Sequence, residues 1–164
     1  MPQPFRAAAL GLALVAAVGL GACSNDKDLA DASAFGAGAA TPGSAQDFVV
    51  NIGDRVFFES DSTDLTPTAT ATLDKQAAWL QRYPRYTFII EGHADERGTR
   101  EYNFSLGARR AQAVNDYLAT RGIAGNRMRT VSYGKERPVA VCNDISCWSQ
   151  NRRAVIVLDR GAGA

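Results

Sequence analysis

The stretch GHADERGTREYNFSLGARRAQAVNDYL, Gly92 to Leu118, decides the fold. Directly before it stand three apolar residues, FII at 88–90, which predict a strand over 87–91. A polar, glycine-bounded turn follows, and then a segment with helical apolar spacing that predicts a helix from about Glu101 to Thr120, ended by Gly122. A strand, a tight turn and a helix in this order bring the polar turn side chains next to the first turns of the helix.

Two charged side chains of this stretch point to a binding site. Asp95 lies in the turn, and Arg110 lies in the N-terminal half of the helix, where a cation is poorly matched to the helix dipole. Something anionic should therefore compensate Arg110. Asp95 and Arg110 form either a structural ion pair or a two-point receptor for a zwitterion, whose ammonium the carboxylate takes and whose carboxylate the guanidinium takes. The spacing alone leaves both readings open.

The neighbouring charged residues give no support for catalysis. His93 is the one histidine of the chain and has no nucleophile or metal-ligand companions nearby, so we expect a structural role with hydrogen bonds inside the turn. Asp95 and Glu96 resemble an acid/base pair for glycan cleavage, but adjacent side chains usually diverge. Arg109 is expected to be solvated or paired with Glu101. The sequence predicts no enzyme, no metal site and no cofactor.

The rest of the domain alternates strands and helices. Further strands are predicted at 56–58, 127–133 and 153–159. A helix should begin at Pro67 after the N-cap Thr66 and end before Pro84. This order predicts an α/β sandwich, in which a small four-stranded sheet carries helices on one side.

The N-terminus predicts export to the cell envelope. Residues 1–22 read as a signal peptide, because Arg6 precedes an uncharged apolar run from Ala7 to Leu20. That run is shorter than the roughly 20 residues of a membrane-spanning helix. The small-residue pair before Cys23 resembles a bacterial lipobox, so Cys23 is expected to be the lipidated first residue of the mature chain; an ordinary signal peptide with an incidental cysteine is the alternative. By resemblance to sorted lipoproteins, the uncharged Ser24 permits transfer to the outer membrane.

Composition separates a tether from a folded domain. Residues 23–46 are rich in Ala, Gly, Ser, Asp and Thr and cannot bury enough apolar surface to order themselves, so we predict a lipidated, flexible tether there and a domain over 47–164. Arg6 is one of 18 basic residues, so the mature chain carries 17 basic and 17 acidic side chains. Without a basic stripe, nucleic acid binding is not predicted.

Cys142 and Cys147 stand in the loop before the last strand and enclose the sequence NDIS. In an oxidising compartment they are expected to form a disulfide. A metal site would need a further ligand nearby, and a redox-active pair would have two rather than four intervening residues. The disulfide is therefore expected to brace a loop.

Several blocks resemble the OmpA-like peptidoglycan-binding domains, and in particular the peptidoglycan-associated lipoproteins. They are GHADERGT at 92–99, EYN at 101–103, SLG at 105–107, RRA at 109–111, VSYGKE at 131–136 and NRRA at 151–154. The similarity extends over roughly 50–158. It implies an OmpA-like domain with a mixed sheet, which binds the cell wall non-covalently through meso-diaminopimelate of the stem peptide. Asp95 and Arg110 match the residues that grip this amino acid.

The resemblance also implies a wider setting. Asp61 matches a further position of the ligand pocket, whereas Ser60 stands where relatives usually carry an aromatic residue and Arg100 where many have proline. Thr99 and Asn103 are further candidate ligand-binding residues: they could cap the helix, and backbone amides near that helix N-terminus could receive a ligand carboxylate. The family acts from the outer membrane, facing the periplasm, in the Tol-Pal system of envelope integrity and cell division, with TolB and other Tol proteins as partners. The rival hypotheses are a wall hydrolase and an OmpA-like anchor outside that system.

Overall fold

The computed structural model describes residues 40–159, which lie in one compact unit. The predicted signal peptide 1–22, Cys23 and the tether as far as residue 39 lie outside the described residues. Between residues 40 and 159, no helix combines the length and the apolar character needed to cross a bilayer.

Helices and strands alternate along the described chain. In order they are α1 (Ala45–Asp47), β1 (Arg55–Phe57), α2 (Pro67–Arg82), β2 (Thr87–His93), α3 (Arg100–Thr120), β3 (Met128–Gly134), α4 (Ile145–Asn151) and β4 (Arg153–Asp159). The predicted strands and the two long helices are present, with bounds shifted by two residues or fewer. Thr66 caps α2, since its side chain accepts a hydrogen bond from the Ala69 amide, and proline occupies the first turn as expected. The short helices α1 and α4 were not predicted.

The four strands form one mixed sheet in the order β1-β4-β2-β3. Strand β2 runs parallel to β3, and β4 runs antiparallel to both β1 and β2. The apolar core lies between one face of this sheet and helices α2 and α3, and includes Phe88, Ile90 and Ile156 from the sheet. The predicted sandwich, with helices on one side of a four-stranded sheet, is confirmed.

Buried hydrogen bonds hold the first described residues, around Gly43 and Asp47, against the domain. The Asp47 carboxylate accepts hydrogen bonds from the Gly43 amide and the Trp79 indole, both at 2.8 Å. The Gly43 carbonyl accepts from the Tyr86 hydroxyl at 2.8 Å. Gly43, which we assigned to the tether, therefore packs against the domain. After it, the π-helical turn Phe48–Ile52 buries Phe48 in the core.

Two glycines let α3 lie directly on β2. A Cβ atom built on Gly92 would stand 1.8 Å from the Gly107 carbonyl oxygen, and one on Gly107 would stand 2.8 Å from the Gly92 oxygen. Only residues without a side chain permit this backbone-to-backbone contact. Because Arg110 follows Gly107 by about one helical turn, the contact fixes where Arg110 meets the end of β2.

Candidate functional site

The turn between β2 and α3 is held at both ends. The Ala94 amide donates to the Gly134 carbonyl at 2.8 Å, and the Asn103 side-chain amide donates to the Arg97 carbonyl at 2.6 Å. Thr99 is the N-cap of α3 and accepts from the Tyr102 amide at 3.2 Å. The turn thus has a fixed shape that presents the Asp95 side chain inward.

Among the described residues, Arg110 is the largest fully buried side chain, with 0% exposure. Its Nε, Nη1 and Nη2 atoms donate to the carbonyl oxygens of Ser62, His93 and Glu59 at 2.9, 2.8 and 3.0 Å. Three carbonyl dipoles surround the guanidinium, and no carboxylate among the described residues contacts it directly. Burial lowers the pKa of Arg110 to about 10, while the charge of Asp95 acts through space in the opposite direction, so the group stays cationic at neutral pH.

Asp95 is 7% exposed and bonded to two other arginines. Arg97 contacts both carboxylate oxygens, through Nε at 3.1 Å and Nη2 at 2.7 Å, and Arg152 Nη1 lies 3.4 Å away. Burial alone would raise the pKa of Asp95, but the hydrogen bonds and charge of Arg97 outweigh it and hold that pKa below its usual value. An ion pair between Asp95 and Arg110 was one of our two readings. In the structure, Asp95 instead forms ion pairs with Arg97 and Arg152.

A cavity of about 180 Å³ brings most of the predicted site residues together. Its lining includes Asp61, Asp95, Asn103 and Arg110, together with Ser60, Arg97, Gly98, Tyr102 and Leu106. Thr99 is not part of this lining and serves the site as the cap of α3. A larger cavity of about 620 Å³ between α3 and β3 contains none of the predicted site residues, so size alone does not identify the site.

Asp61 forms the opposite rim of the cavity. It adopts a left-handed backbone conformation with φ of 55°, which is uncommon for a residue other than glycine, and its carboxylate accepts a hydrogen bond from the Tyr102 hydroxyl. Strained backbone of this kind concentrates at ligand sites. The hydrogen bond from Tyr102 connects the segment around Asp61 to the start of α3.

Sequence reasoning missed three side chains around Asp95, namely Arg97, Trp148 and Arg152. The Arg97 guanidinium stacks on the Trp148 ring at 4.2 Å, and the Trp148 indole donates to the Glu96 carboxylate. Arg152 also donates to the Phe58 carbonyl at 3.0 Å. Trp148 lies in α4 and Arg152 at its end. The sequence signal for this helix was Asp144, a residue type that often caps helices, directly before the apolar Ile145.

The helix α4 begins inside the loop that the two cysteines enclose. Asp144 caps it by accepting from the Ser146 amide at 2.7 Å. Cys142 and Cys147 are joined by a disulfide, with their Cα atoms 5.7 Å apart. Because Trp148 directly follows Cys147, the braced turn of α4 determines where the indole meets the Asp95 turn.

His93 does not make the hydrogen bonds we expected of it. The imidazole is buried and stacks on the Tyr133 ring at 5.6 Å, and its two nitrogens have no hydrogen-bond partner among residues 40–159. Its Nε2 atom lies 3.4 Å from a Glu91 oxygen without forming a hydrogen bond. Burial, followed by the charges of Arg153 and Arg137, lowers the pKa of His93 to about 4, so the ring is neutral at pH 7. The side chain fills the interior, and only its carbonyl contacts the site, by accepting from Arg110.

Comparison with known proteins agrees with this architecture. The model of the OmpA family matches residues 57–152. The peptidoglycan-associated lipoprotein of Rhizobium meliloti is 65% identical over 93% of this chain and 88% of its own length. That of Brucella melitensis is 57% identical over 98% of this chain and 97% of its own length.

Solved structures show the same fold. The crystal structure of the peptidoglycan-associated lipoprotein from Burkholderia pseudomallei has a TM-score of 0.63 and 42% identity, covering 65% of this chain and 90% of that one. The C-terminal domain of Helicobacter pylori MotB has a TM-score of 0.62 at 24% identity, covering 66% of this chain and 86% of that one, and this likeness concerns the fold alone.

The chain belongs to the OmpA family. Within it, the nearly full-length matches place the chain among the peptidoglycan-associated lipoproteins, which are lipoproteins of the cell envelope. The names of these relatives are not those of enzymes.

Proposed function

We propose that this domain binds peptidoglycan non-covalently by holding meso-diaminopimelate of the stem peptide in the cavity between Asp61, Asp95 and Arg110. The whole chain then acts as an outer-membrane lipoprotein, acylated at Cys23, that anchors the membrane to the wall. Its setting is the Tol-Pal system, with TolB as a periplasmic partner. The relatives named peptidoglycan-associated lipoproteins support the wall as the ligand, and the lipobox-like sequence before Cys23 supports the anchor.

The observation that carries the proposal is the bonding of Arg110. A guanidinium has five N–H donors, and three of them serve carbonyl oxygens, which leaves two for a ligand carboxylate. Carbonyl dipoles hold the cation without neutralising it, and Asp95 and Asp61 act on it through space. A buried, preoriented cation on a cavity wall is suited to a carboxylate, which gains charge-assisted hydrogen bonds there.

The carboxylates on the same cavity supply the other half of the receptor. Asp95 and Asp61 both line it, and the lowered pKa keeps Asp95 ionised at neutral pH. The free end of diaminopimelate carries both an ammonium group, which would lie beside Asp95, and a carboxylate, which would lie beside Arg110. A lysine side chain at the same place lacks the carboxylate, so the charge of Arg110 would stay unmatched.

Hydrolysis of the wall has less support than binding. Asp95 is held by Arg97 and Arg152 with a lowered pKa, and this is the opposite of what a general acid for glycan cleavage needs. Glu96 is exposed and accepts a hydrogen bond from Trp148. The two carboxylates are therefore engaged in different contacts rather than directed at one bond.

The test is co-sedimentation of the mature chain, residues 23–164 in mild detergent, with purified sacculi. Asp95→Asn and Arg110→Gln should each weaken binding to diaminopimelate-type sacculi at least about 30-fold, since breaking a buried charge pair costs about 2–5 kcal/mol. Arg109→Gln is the matched control, because Arg109 is the exposed neighbour of Arg110 and should bind like wild type.

A second comparison uses the unaltered protein and so does not depend on whether the variants fold. Wild type should bind diaminopimelate-type sacculi far more tightly than lysine-type sacculi. Equal binding to both wall types, or wild-type binding by a folded Asp95→Asn variant, would refute the proposed site. Circular dichroism establishes which variants are folded.

A further inference from the structure

The carboxylate of Asp95 has no free acceptor position in this structure. Its Oδ1 atom accepts from the Arg97 amide at 3.2 Å and from Arg97 Nε at 3.1 Å. Its Oδ2 atom accepts from Arg97 Nη2 at 2.7 Å and from Arg152 Nη1 at 3.4 Å. An ionised carboxylate offers about four lone-pair sites, so these contacts fill it. An ammonium group can bind directly only after one of the donors leaves.

Arg97 is the donor that can leave. Its side chain is 43% exposed, whereas that of Arg152 is 5% exposed and also donates to the Phe58 carbonyl. Arg97 lies on the rim of the cavity and lines it, so its guanidinium stands between solvent and the carboxylate. The pair is bidentate, and its loss is offset when the ligand ammonium brings a positive charge to the same carboxylate.

Three contacts hold Arg97 in this position. One is the pair with Asp95, a second is a hydrogen bond from Nη2 to the Ser60 hydroxyl at 2.8 Å, and the third is the stacking on Trp148 at 4.2 Å. The Trp148 indole is itself fixed by its bond to Glu96. The last two contacts do not involve Asp95, and they help to hold the guanidinium beside the carboxylate.

We propose that Arg97 is an internal competitor for the ligand ammonium: its guanidinium occupies Asp95 in the free protein and is displaced when the ligand binds. This inference rests on the proposed function, because it concerns the same site. In wild type the ligand must break the Arg97 pair in order to bind, and this cost lowers the apparent affinity for the wall. Trp148 and Ser60 set how firmly Arg97 is held on Asp95. The arrangement keeps the charge of Asp95 satisfied whenever the ligand is absent, so the empty site needs no unpaired buried anion.

The test measures the affinity of the mature chain in mild detergent for a soluble muropeptide that contains meso-diaminopimelate, by calorimetric titration. Arg97→Met removes every side-chain donor but retains an apolar stem of similar length. It should bind roughly two- to tenfold more tightly than wild type, because the binding-competent fraction rises when the competing pair at Asp95 is removed. Arg100→Met is the matched control, since Arg100 is an exposed arginine paired with Glu136 at 3.1 Å, and its affinity should stay within about twofold of wild type.

Nuclear magnetic resonance gives a direct readout that a merely structural arginine would not show. The Arg97 Nε–H resonance should shift on titration with free meso-diaminopimelate, as its bond to Asp95 is lost. The resonance should stay unchanged on titration with pimelate, which has both carboxylates and no ammonium. Trp148→Ala should bind the muropeptide more tightly than wild type, and Trp148→Phe should restore the wild-type affinity. This result would support the role of the aromatic ring at position 148.

The outcomes separate this inference from the proposed function. If Asp95→Asn binds the muropeptide like wild type, the proposed function fails and the inference fails with it. If Asp95→Asn loses binding while folded Arg97→Met binds with unchanged or lower affinity, the proposed function stands and the competitor role is overturned. Loss in Asp95→Asn together with tighter binding in Arg97→Met, and not in Arg100→Met, supports both.

Discussion

Gly92→Ala should be among the most damaging single-methyl additions to this domain. The added carbon would stand 1.8 Å from the Gly107 carbonyl oxygen and 2.6 Å from its carbonyl carbon. Carbon–oxygen contacts in proteins rarely fall below about 3.3 Å. Helix α3 would therefore have to move away from β2 by roughly 1.5 Å, and both obstacles are backbone atoms that cannot rotate aside.

The expected loss follows from that displacement. Overpacking a core usually costs about 1–3 kcal/mol, and a clash between two backbone segments belongs at the upper end or beyond. Alanine also lowers the entropy of the unfolded chain, which returns only about 0.4–1 kcal/mol. We expect the free energy of unfolding to fall by about 2–3 kcal/mol, a large share of the roughly 5–15 kcal/mol of a typical domain.

Urea unfolding followed by circular dichroism measures this loss, with Gly125→Ala as the matched control. A Cβ atom on Gly125 meets nothing within 4 Å, so this variant should stay within about 0.5 kcal/mol of wild type. The same displacement moves Arg110 away from the His93 carbonyl, so folded Gly92→Ala should also bind sacculi more weakly. A Gly92→Ala domain as stable as the Gly125→Ala control would refute the argument that this contact positions α3.

Two further predictions concern the interior and the braced loop. The folded-state pKa of His93, about 4, lies below the unfolded value of about 6.5, so the unfolded state binds more protons between these values and stability should fall as the pH drops through that window. In His93→Gln this part of the pH dependence of urea unfolding should disappear; an unchanged slope between pH 6.5 and 4 would contradict it. Replacing Cys142 and Cys147 together by serine should lower the free energy of unfolding by about 2 kcal/mol, the loop-closure value for so short a loop. Thermal unfolding with and without reductant checks this, since reductant should change wild type and leave the double variant unaffected.

Local patterns predicted most of the framework because each of its elements carries its own signal. Helix α2 has a threonine cap followed by proline, and α3 ends next to a glycine with φ of 85°. The close contact of Gly92 with Gly107 was not predicted, although both glycines stand in the most informative stretch. A glycine pair signals close packing only when the partner elements are known, and that information lies in the fold rather than in the spacing.

The contacts of the site depend on long-range packing to an even greater degree. The sequence predicted Asp95 and Arg110 as a pair, since one strand-turn-helix unit brings them together, but it gave no account of what else would reach them. Residues separated by 57 positions, Arg152 and Asp95, meet because α4 returns the chain to the end of β2. Helix α4 has only seven residues, too few for a periodic signal, so Trp148 and Arg152 were not predicted as site residues.

The arginines that the sequence did not predict explain how the charge of Asp95 is compensated. A two-residue receptor would leave a buried carboxylate unpaired whenever the ligand was absent, and an unpaired buried charge is costly. The structure supplies Arg152 as a permanent, buried partner and Arg97 as an exposed one. With both in place the carboxylate is paired in the free protein, and in the proposed site the ligand ammonium displaces Arg97 while Arg152 keeps Asp95 oriented. In the proposed site, the affinity depends on more residues than Asp95 and Arg110. Comparisons among OmpA-like domains should therefore also consider the positions of Arg97 and Trp148.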